Sequence, residues 1–201
     1  AINYCELTGL YWAWKNLEAS FLGLAHYRRH FAAKHLGYKQ KRVATSQHLY
    51  SILAAHDVIL PKPRHYVIET NWSQYVHAHH EIDLVTTRTI IGETYPSYLS
   101  SFDVVMQRRS GHRFNMFVMK RSIADEYCSW LFNLLFKLEN RLDISSYSTN
   151  DARVFGFVAE RLLDVWTHAN SLQYAEMPVV NLERQHWMHK GLSFVGRKLK
   201  A

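Results

Sequence analysis

The chain has 201 residues, which suits one domain and is too short for two of ordinary size. Hydrophobic residues make up 48% of the chain and charged residues 20%, and this globular composition excludes wholesale disorder. Lysine and arginine number 24 against 17 aspartate and glutamate, a formal net charge of +7 that favours an anionic partner: a nucleic acid, an acidic membrane surface or the phosphates of a nucleotide.

Two cysteines, Cys5 and Cys128, are too few for a disulfide framework or a four-thiolate zinc site, and they suit a reducing, cytosolic setting. The chain has no apolar run of about 18 residues that would span a bilayer, and no signal-peptide pattern opens it. Because the first residue is Ala1 and a helical pattern begins almost at once, we expect an N-terminal piece to be missing from this numbering.

The spacing of apolar residues predicts helices that alternate with short strands. The predicted helices cover residues 5–18, 46–56, 71–90, 94–108, a long segment from 122, and 151–168. The predicted strands cover residues 21–25, 58–60, 114–119 and 177–180. Ser122 and Asp125 have the spacing of a capping box at the start of the long helix. Strands separated by helices predict an α/β fold with a mostly parallel sheet, formed by the whole chain as one unit.

A basic segment, residues 26–30, follows the first predicted strand. In open α/β sheets, ligands bind beyond the carboxyl ends of the strands. Arg28 and Arg29 can pair bidentately with phosphate, and His26 and Tyr27 add uncharged donors. A solvated basic turn explains the same pattern. The chain has no glycine-rich phosphate loop, which argues against kinases, ATPases and dehydrogenases.

Histidines and carboxylates are crowded in residues 77–83. Such residues can ligate zinc or iron, but their spacing matches neither HExxH nor a thiol-based zinc motif. On a helix, His77, His80 and Glu81 would share one face. The pattern favours a polar helix face, or a wall of a substrate pocket to which Asp83 also contributes.

The helix predicted at 151–168 carries Asp151 near its start and Glu160 inside it. Arg153, Arg161 and Asp164 are close enough in sequence for pairs at i,i+3 and i,i+4, so surface salt bridges explain the charges. A carboxylate at a helix start that faces a sheet edge is equally suited to act as a general base or to bind an acceptor sugar.

Long segments of the chain carry a resemblance to a known family: residues 3–16, 22–31, 57–64, 113–119 and 152–163. The second contains the His-Tyr-Arg-Arg sequence of residues 26–29, and the last contains Phe-Gly-Phe-Val-Ala-Glu-Arg-Leu. In order and nearly throughout, they resemble a bacterial family first catalogued as a domain of unknown function, whose members are assigned as capsular, exopolysaccharide and O-antigen glycosyltransferases.

The resemblance implies a glycosyltransferase-A-like fold, a single Rossmann-like domain with helical insertions. The family usually begins with one further strand, in agreement with the expected missing piece. In that fold, an Asp-x-Asp at a strand end holds a divalent metal against the donor diphosphate. Residues 26–29 lack such a carboxylate pair, so a manganese or magnesium cofactor is disfavoured, and we expect the two guanidinium groups to neutralise the diphosphate instead.

The resemblance also implies roles for particular residues. The expected donor-binding residues are His26, Tyr27, Arg28, Arg29, Asn115, His186 and Lys190, the last two in a C-terminal loop that closes over the diphosphate. Apart from the resemblance, the polar residues discussed above are expected to bind the acceptor: His77, His80, Asp83 and Arg153. Glu160 ranks first and Asp151 second as the catalytic carboxylate.

The resulting hypothesis is a glycosyltransferase that moves a hexose, with galactose in pyranose or furanose form as the first guess, from a UDP-sugar to a growing surface polysaccharide. We expect a lipid-linked or oligosaccharide acceptor, no nucleic acid partner, and a cytoplasmic location at the inner face of the membrane. The basic residues 197–200 suit contact with that anionic face, or an ordinary exposed terminus. Two alternatives remain open: a basic nucleic-acid-binding module and a histidine-rich metallohydrolase.

Overall fold

Short strands alternate with helices along the chain, as the apolar spacing predicts. The computed structural model describes residues 2–33 and 42–183. In this part of the chain the helices are α1 (Leu7–Asn16), α2 (Ser46–Leu53), α3 (Asn71–Val76), α4 (Glu81–Thr94), α5 (Leu99–Gln107), α6 (Arg121–Arg141) and α7 (Val154–Ala169). The strands are β1 (Phe21–Leu24), β2 (Arg29–Phe31), β3 (Val58–Pro61), β4 (Arg64–His65), β5 (Ser110–Gly111), β6 (Phe117–Lys120), β7 (Tyr174–Met177) and β8 (Val179–Asn181).

The central sheet has the strand order β1-β6-β3-β7 and is mixed. Strand β6 lies antiparallel to both β1 and β3, and β3 pairs in parallel with β7. The prediction of a mostly parallel sheet is therefore wrong at the level of strand pairing, because a short apolar run reveals a buried strand but not its direction. Since β1, β3 and β7 run the same way, their carboxyl ends meet the amino end of β6 at one edge of the sheet.

Helices and small sheets cover both faces of the central sheet. Val58 and Leu60 of β3 join a large core formed mainly by α4 to α7, whereas Ile59 joins a smaller core with Leu53 of α2. This alternation follows from the opposite directions of successive side chains in a strand. Helix α7 is buried along most of its length.

Three local predictions need correction. The long helix begins at Arg121 after Lys120, with no side-chain capping bond, and Asp125 instead accepts hydrogen bonds from Trp14 Nε1 (3.0 Å) and Arg121 Nε (2.8 Å). The predicted strand 177–180 is divided at Pro178, where β7 ends and β8 begins in a separate pair with β2. The predicted helix 71–90 is interrupted between α3 and α4.

Across residues 2–33 and 42–183, no helix combines the length and the apolar character that crossing a membrane requires.

Candidate functional site

A pocket of about 210 Å³ lies at the edge where the carboxyl end of β1 meets the loop that enters β6. The residues that line it come from the start of α1, the turn after β1, that loop and the first turns of α7. They are Cys5, Glu6, His26, Arg29, Phe114, Arg153, Gly156, Phe157 and Glu160. The pocket therefore brings together four residues that the sequence singled out, His26, Arg29, Arg153 and Glu160.

The loop before β6 has an unusual backbone in the pocket wall. Phe114 and Asn115 have φ angles of 77° and 53°, a region that residues other than glycine rarely occupy and that costs free energy. Phe114 N–H donates to Glu160 Oε1 (3.1 Å), and Asn115 Nδ2 donates to Glu6 Oε1 (2.8 Å) and to the Gly156 carbonyl (3.1 Å). These bonds hold the strained loop between α1 and α7.

The two neighbouring arginines face different surroundings. The Arg29 guanidinium lies 4.2 Å from the centre of the Phe114 ring, lines the pocket, and pairs with no carboxylate in the described part of the chain. Arg28 instead contacts the Tyr27 hydroxyl and pairs with Glu183 (3.2 Å), on the exposed side of the turn. The structure therefore does not bring both guanidinium groups to this pocket, because Arg28 lies in the turn that precedes β2 and pairs with Glu183, whereas Arg29 is the first residue of β2.

His26 supplies a neutral donor to the pocket. Its Nδ1 accepts the backbone N–H of Arg28 (3.2 Å), so the ring proton resides on Nε2. Burial and the nearby charge of Arg29 lower the pKa of His26 below its ordinary value, which keeps the ring uncharged at neutral pH. Tyr27 stacks on the His26 ring but is exposed and does not line the pocket.

The two carboxylates of the pocket differ in how their oxygens are used. Both oxygens of Glu160 accept protein donors, Oε1 from Phe114 N–H and Oε2 from Nη1 of the buried Arg161 (3.2 Å). Glu6 uses Oε1 for Asn115, and its Oε2 has no hydrogen-bond donor among the residues that the structure describes. Glu6 therefore offers the freer acceptor.

Arg153 adds a second cation to the rim. Its Nε donates to Cys5 Sγ (3.1 Å), and its guanidinium lies 5.3 Å from the centre of the Phe157 ring. The hydrogen bond with Cys5 raises the pKa of Arg153 above its ordinary value. The pocket thus combines two guanidinium groups, two carboxylates and two aromatic rings.

Asp151 lies outside this pocket, in a 3-10 turn before α7. Its carboxylate accepts the Ser148 hydroxyl (2.6 Å) and approaches His79 Nδ1 (3.3 Å) and His80 Nε2 (3.9 Å). The hydrogen bonds from Ser148 and then His79 lower the pKa of Asp151. We use the name Asp151 cluster for a set of residues defined by these contacts and by those of the nearby Asp83: Asp151, Ser148, His79, His80, Asp83, Tyr75 and Tyr147.

Other predicted acceptor residues are used within the fold. Asp83 is buried and accepts the hydroxyls of Tyr75 (2.7 Å) and Tyr147 (2.6 Å). His77 ends α3 and contacts Glu69 (2.7 Å), whereas His80 precedes α4. The expectation that His77 and His80 share one helix face is therefore wrong, because the chain turns between them.

The donor set of the pocket does not resemble a divalent metal site. In residues 2–33 and 42–183, no three histidine, cysteine, aspartate or glutamate side chains are placed to hold an ion. Three of the four oxygens of Glu6 and Glu160 already accept hydrogen bonds from the protein. The residues present therefore do not fit the metal of the glycosyltransferase-A fold.

Five lining residues are not among the site residues expected from the sequence: Cys5, Glu6, Phe114, Gly156 and Phe157. All five lie inside the segments that carry the family resemblance, which is the signal that could have identified them. Predicted donor residues His186 and Lys190 lie outside the described residues, as does the basic segment 197–200.

Comparison with known proteins shows the family to which this chain belongs. Residues 2–171 match the family model described as Domain of unknown function, DUF4422. The chain belongs to the DUF4422 family. No curated protein matches its sequence.

This DUF4422 chain is similar to the solved structure titled "WbbM bifunctional glycosytransferase apo structure", with a TM-score of 0.83 and 25% sequence identity, over 90% of the chain. It spans 37% of the length of that protein. Its mixed α/β fold is thus similar to that of part of a glycosyltransferase.

Proposed function

We propose that this DUF4422 chain is a glycosyltransferase that moves a sugar from a nucleoside-diphosphate donor to a hydroxyl of a saccharide acceptor. The observation that carries the proposal is the pocket itself. In it, a guanidinium without a carboxylate partner among the described residues meets a neutral imidazole and two carboxylates at the edge of a glycosyltransferase-like fold. A leaving diphosphate needs positive charge and donors, and an acceptor hydroxyl needs a base.

On the donor side, the bond between the anomeric carbon and the diphosphate oxygen breaks, and the diphosphate leaves with the electron pair. Arg29 is the principal cation, because no carboxylate in the described part of the chain competes for it, and Arg153 adds charge at the rim. Guanidinium groups pair strongly with phosphate oxygens. The Nε2–H group of His26 donates a hydrogen bond to an oxygen of the donor.

On the acceptor side, the attacking hydroxyl loses its proton as the new glycosidic bond forms. We assign the base to Glu6, because its Oε2 is open, and a positioning role to Glu160, which holds Phe114 and Arg161. Phe114 and Phe157 provide apolar walls for a sugar ring, as in other sites where a few polar groups converge among aromatic side chains. Arg153 is at the rim of the pocket, where we propose that its guanidinium contacts the acceptor while its charge also favours the departing diphosphate.

The finer proposal is a UDP-hexose donor, with galactose first, and a growing bacterial surface polysaccharide as acceptor, assembled at the cytoplasmic face of the membrane. It is supported by the sequence resemblance of the His-Tyr-Arg-Arg and Phe-Gly-Phe-Val-Ala-Glu-Arg segments to polysaccharide-assembling transferases. His186 and Lys190 are proposed to close over the diphosphate on the same ground. The nucleic-acid-binding and metallohydrolase alternatives gain no specific support from the pocket.

Thermal stability with a panel of nucleotides tests the donor class. A ligand that binds only the folded state stabilises it by about 2.7 kcal/mol at a concentration of 100 times Kd. We expect UDP to raise the Tm of the full-length protein, and GDP, CMP and AMP to have little effect. Arg29→Ala should keep the Tm of the free protein and lose the response to UDP. No response to any of the four nucleotides would overturn the proposal.

A further inference from the structure

The loop between β4 and α3 exposes two aliphatic side chains side by side. Val67 is 90% exposed and Ile68 is 77% exposed, more than any other large hydrophobic residue in the described part of the chain. Single exposed aliphatic residues are common on protein surfaces, but an adjacent pair at the tip of a loop has an apolar area that water solvates poorly.

The base of this loop is held in place. Tyr66 N–H donates to the Arg109 carbonyl (2.7 Å), and Asn71 N–H donates to the Arg108 carbonyl (2.8 Å). Tyr66 also accepts a hydrogen bond from Nε of the buried Arg113 (3.0 Å). The exposed tip is thus presented by a fixed base, which reduces the conformational entropy that an interaction would cost.

Positive charge surrounds the tip. The exposed cationic and imidazole side chains next to it in the sequence or across the β4–β5 pair are Lys62, Arg64, His65, Arg108 and Arg109. In residues 2–33 and 42–183, no carboxylate forms an ion pair with Arg64, Arg108 or Arg109, and Glu69 is occupied by His77 (2.7 Å). The loop also borders a groove of about 520 Å³ that Arg64, His65 and His77 line together with Val67 and Ile68.

We propose that this surface, residues 62–70 with Arg108 and Arg109, docks the protein on an anionic lipid bilayer. Arginine and lysine are attracted to the lipid phosphates, while apolar side chains between them enter the boundary between headgroups and acyl chains. A nucleic acid would use the same cations but would leave Val67 and Ile68 without a partner, and single-stranded chains favour aromatic stacking platforms. The combination of charge and aliphatic tip fits a bilayer best.

The position of the loop determines which side of the protein faces the lipid surface when it docks. Residues 62–70 follow directly from the carboxyl end of β3, at the edge of the sheet where the candidate pocket lies. Binding through this loop directs that edge toward the lipid surface. Docking through this loop depends on the exposure and charge of its residues and not on sugar transfer.

Flotation with lipid vesicles, without donor or acceptor, tests the proposal. We expect the wild-type protein to bind vesicles that contain about 30% phosphatidylglycerol, to bind phosphatidylcholine vesicles much less, and to be released by salt. Val67→Ser with Ile68→Ser should weaken binding about tenfold, because the inserted apolar area is lost. Arg64→Gln with Arg109→Gln should weaken it by about tenfold or more.

The matched control is Ile82→Ser with Val85→Ser, the same two residue types exposed on α4. We expect this variant to bind as the wild type does. Absence of wild-type binding, equal binding to both vesicle types, or unchanged binding of both loop variants would overturn the proposal. In the last case the membrane contact belongs to another segment, such as the basic residues 197–200. Unfolding curves should confirm that every variant remains folded.

Discussion

The pocket at the sheet edge and the Asp151 cluster lie at the start of the same helix, yet they use their polar groups differently. In the pocket, Arg29 has no carboxylate partner and Glu6 has an open oxygen among the described residues. In the cluster, Asp151 and Asp83 both accept hydrogen bonds on each oxygen from hydroxyl or imidazole groups. Polar groups that satisfy one another stabilise a fold, whereas open ones are available to a ligand.

The difference changes the interpretation of the two carboxylates on this helix. From the sequence, Asp151 and Glu160 were both candidates for the catalytic carboxylate. Asp151 does not line the pocket and accepts a hydrogen bond from Ser148, whereas Glu160 lines the pocket. Helix position alone was thus a poor guide, because the neighbours that come from distant segments decide which group remains open.

Replacement of Arg29 should have the largest effect. We expect Arg29→Ala to lower kcat/KM by about 10²- to 10³-fold, the range for loss of a group that stabilises developing charge. Arg28→Ala is the control, because Arg28 pairs with Glu183 and lies outside the pocket. Steady-state transfer kinetics measure both. An equal loss in the two variants would show that the pair acts together and that the distinction between them is wrong.

The next largest effect is expected from a comparison of variants of Glu6 and Asp151. Glu6→Gln should lower kcat about a hundredfold, the usual scale for a lost acid–base group, with UDP affinity unchanged. Asp151→Asn should keep near-normal turnover. The measurements are transfer assays and UDP titrations on variants with unchanged Tm. The reverse pattern would place catalysis in the Asp151 cluster.

Glu160 should behave as a positioning residue. Glu160→Ala removes the acceptor of the Phe114 N–H and leaves Arg161 without its carboxylate partner, so we expect kcat to fall by about tenfold or more. Glu160→Gln retains a carbonyl oxygen for Phe114 and should recover part of that loss. Equal losses in the two variants, with a changed pH profile, would instead identify Glu160 as the base.

Within the Asp151 cluster we expect effects on stability alone. Tyr147→Phe removes one of the two hydroxyl donors of the buried Asp83 and should lower the free energy of unfolding by about 1–3 kcal/mol. Urea unfolding measures this change, and transfer kinetics serve as the control. A large fall in kcat without a fall in stability would contradict the structural role of the cluster.

The smallest expected effect is a dependence of the free energy of unfolding on pH that is caused by His112. Burial lowers the pKa of His112, but hydrogen bonds and charge from Asp164 and Glu176 outweigh burial and raise it above the ordinary value. Because the folded-state pKa is raised, this stabilisation is complete below about pH 6.5 and is lost as the pH rises through the folded-state value. The stability difference between wild type and His112→Gln should therefore be larger at about pH 5.5 than at about pH 8.5. Urea unfolding at both values tests the sign.

Local apolar spacing was sufficient to predict most of the elements around the site. Strands β1, β3 and β6 and helices α1, α2, α5, α6 and α7 occur where the spacing places them, within a few residues at each end. Each of these elements buries a stripe or a face, and that burial is visible in a window of consecutive residues. The basic turn after β1 was predictable for the same reason, and the long motifs indicated the family.

Only the tertiary structure decided which residues meet. The direction of β6, the division at Pro178, and the separation of Arg28 from Arg29 depend on neighbours that no sequence window contains. Glu6 joins the pocket through Asn115, which is 109 residues away in the chain. Local spacing determines whether a side chain is buried, because burial follows the period of its own element. Strand direction and the pairing of distant polar groups are determined by packing between elements, which is why the sequence named Arg29 and Glu160 but not the pocket that joins them to Glu6.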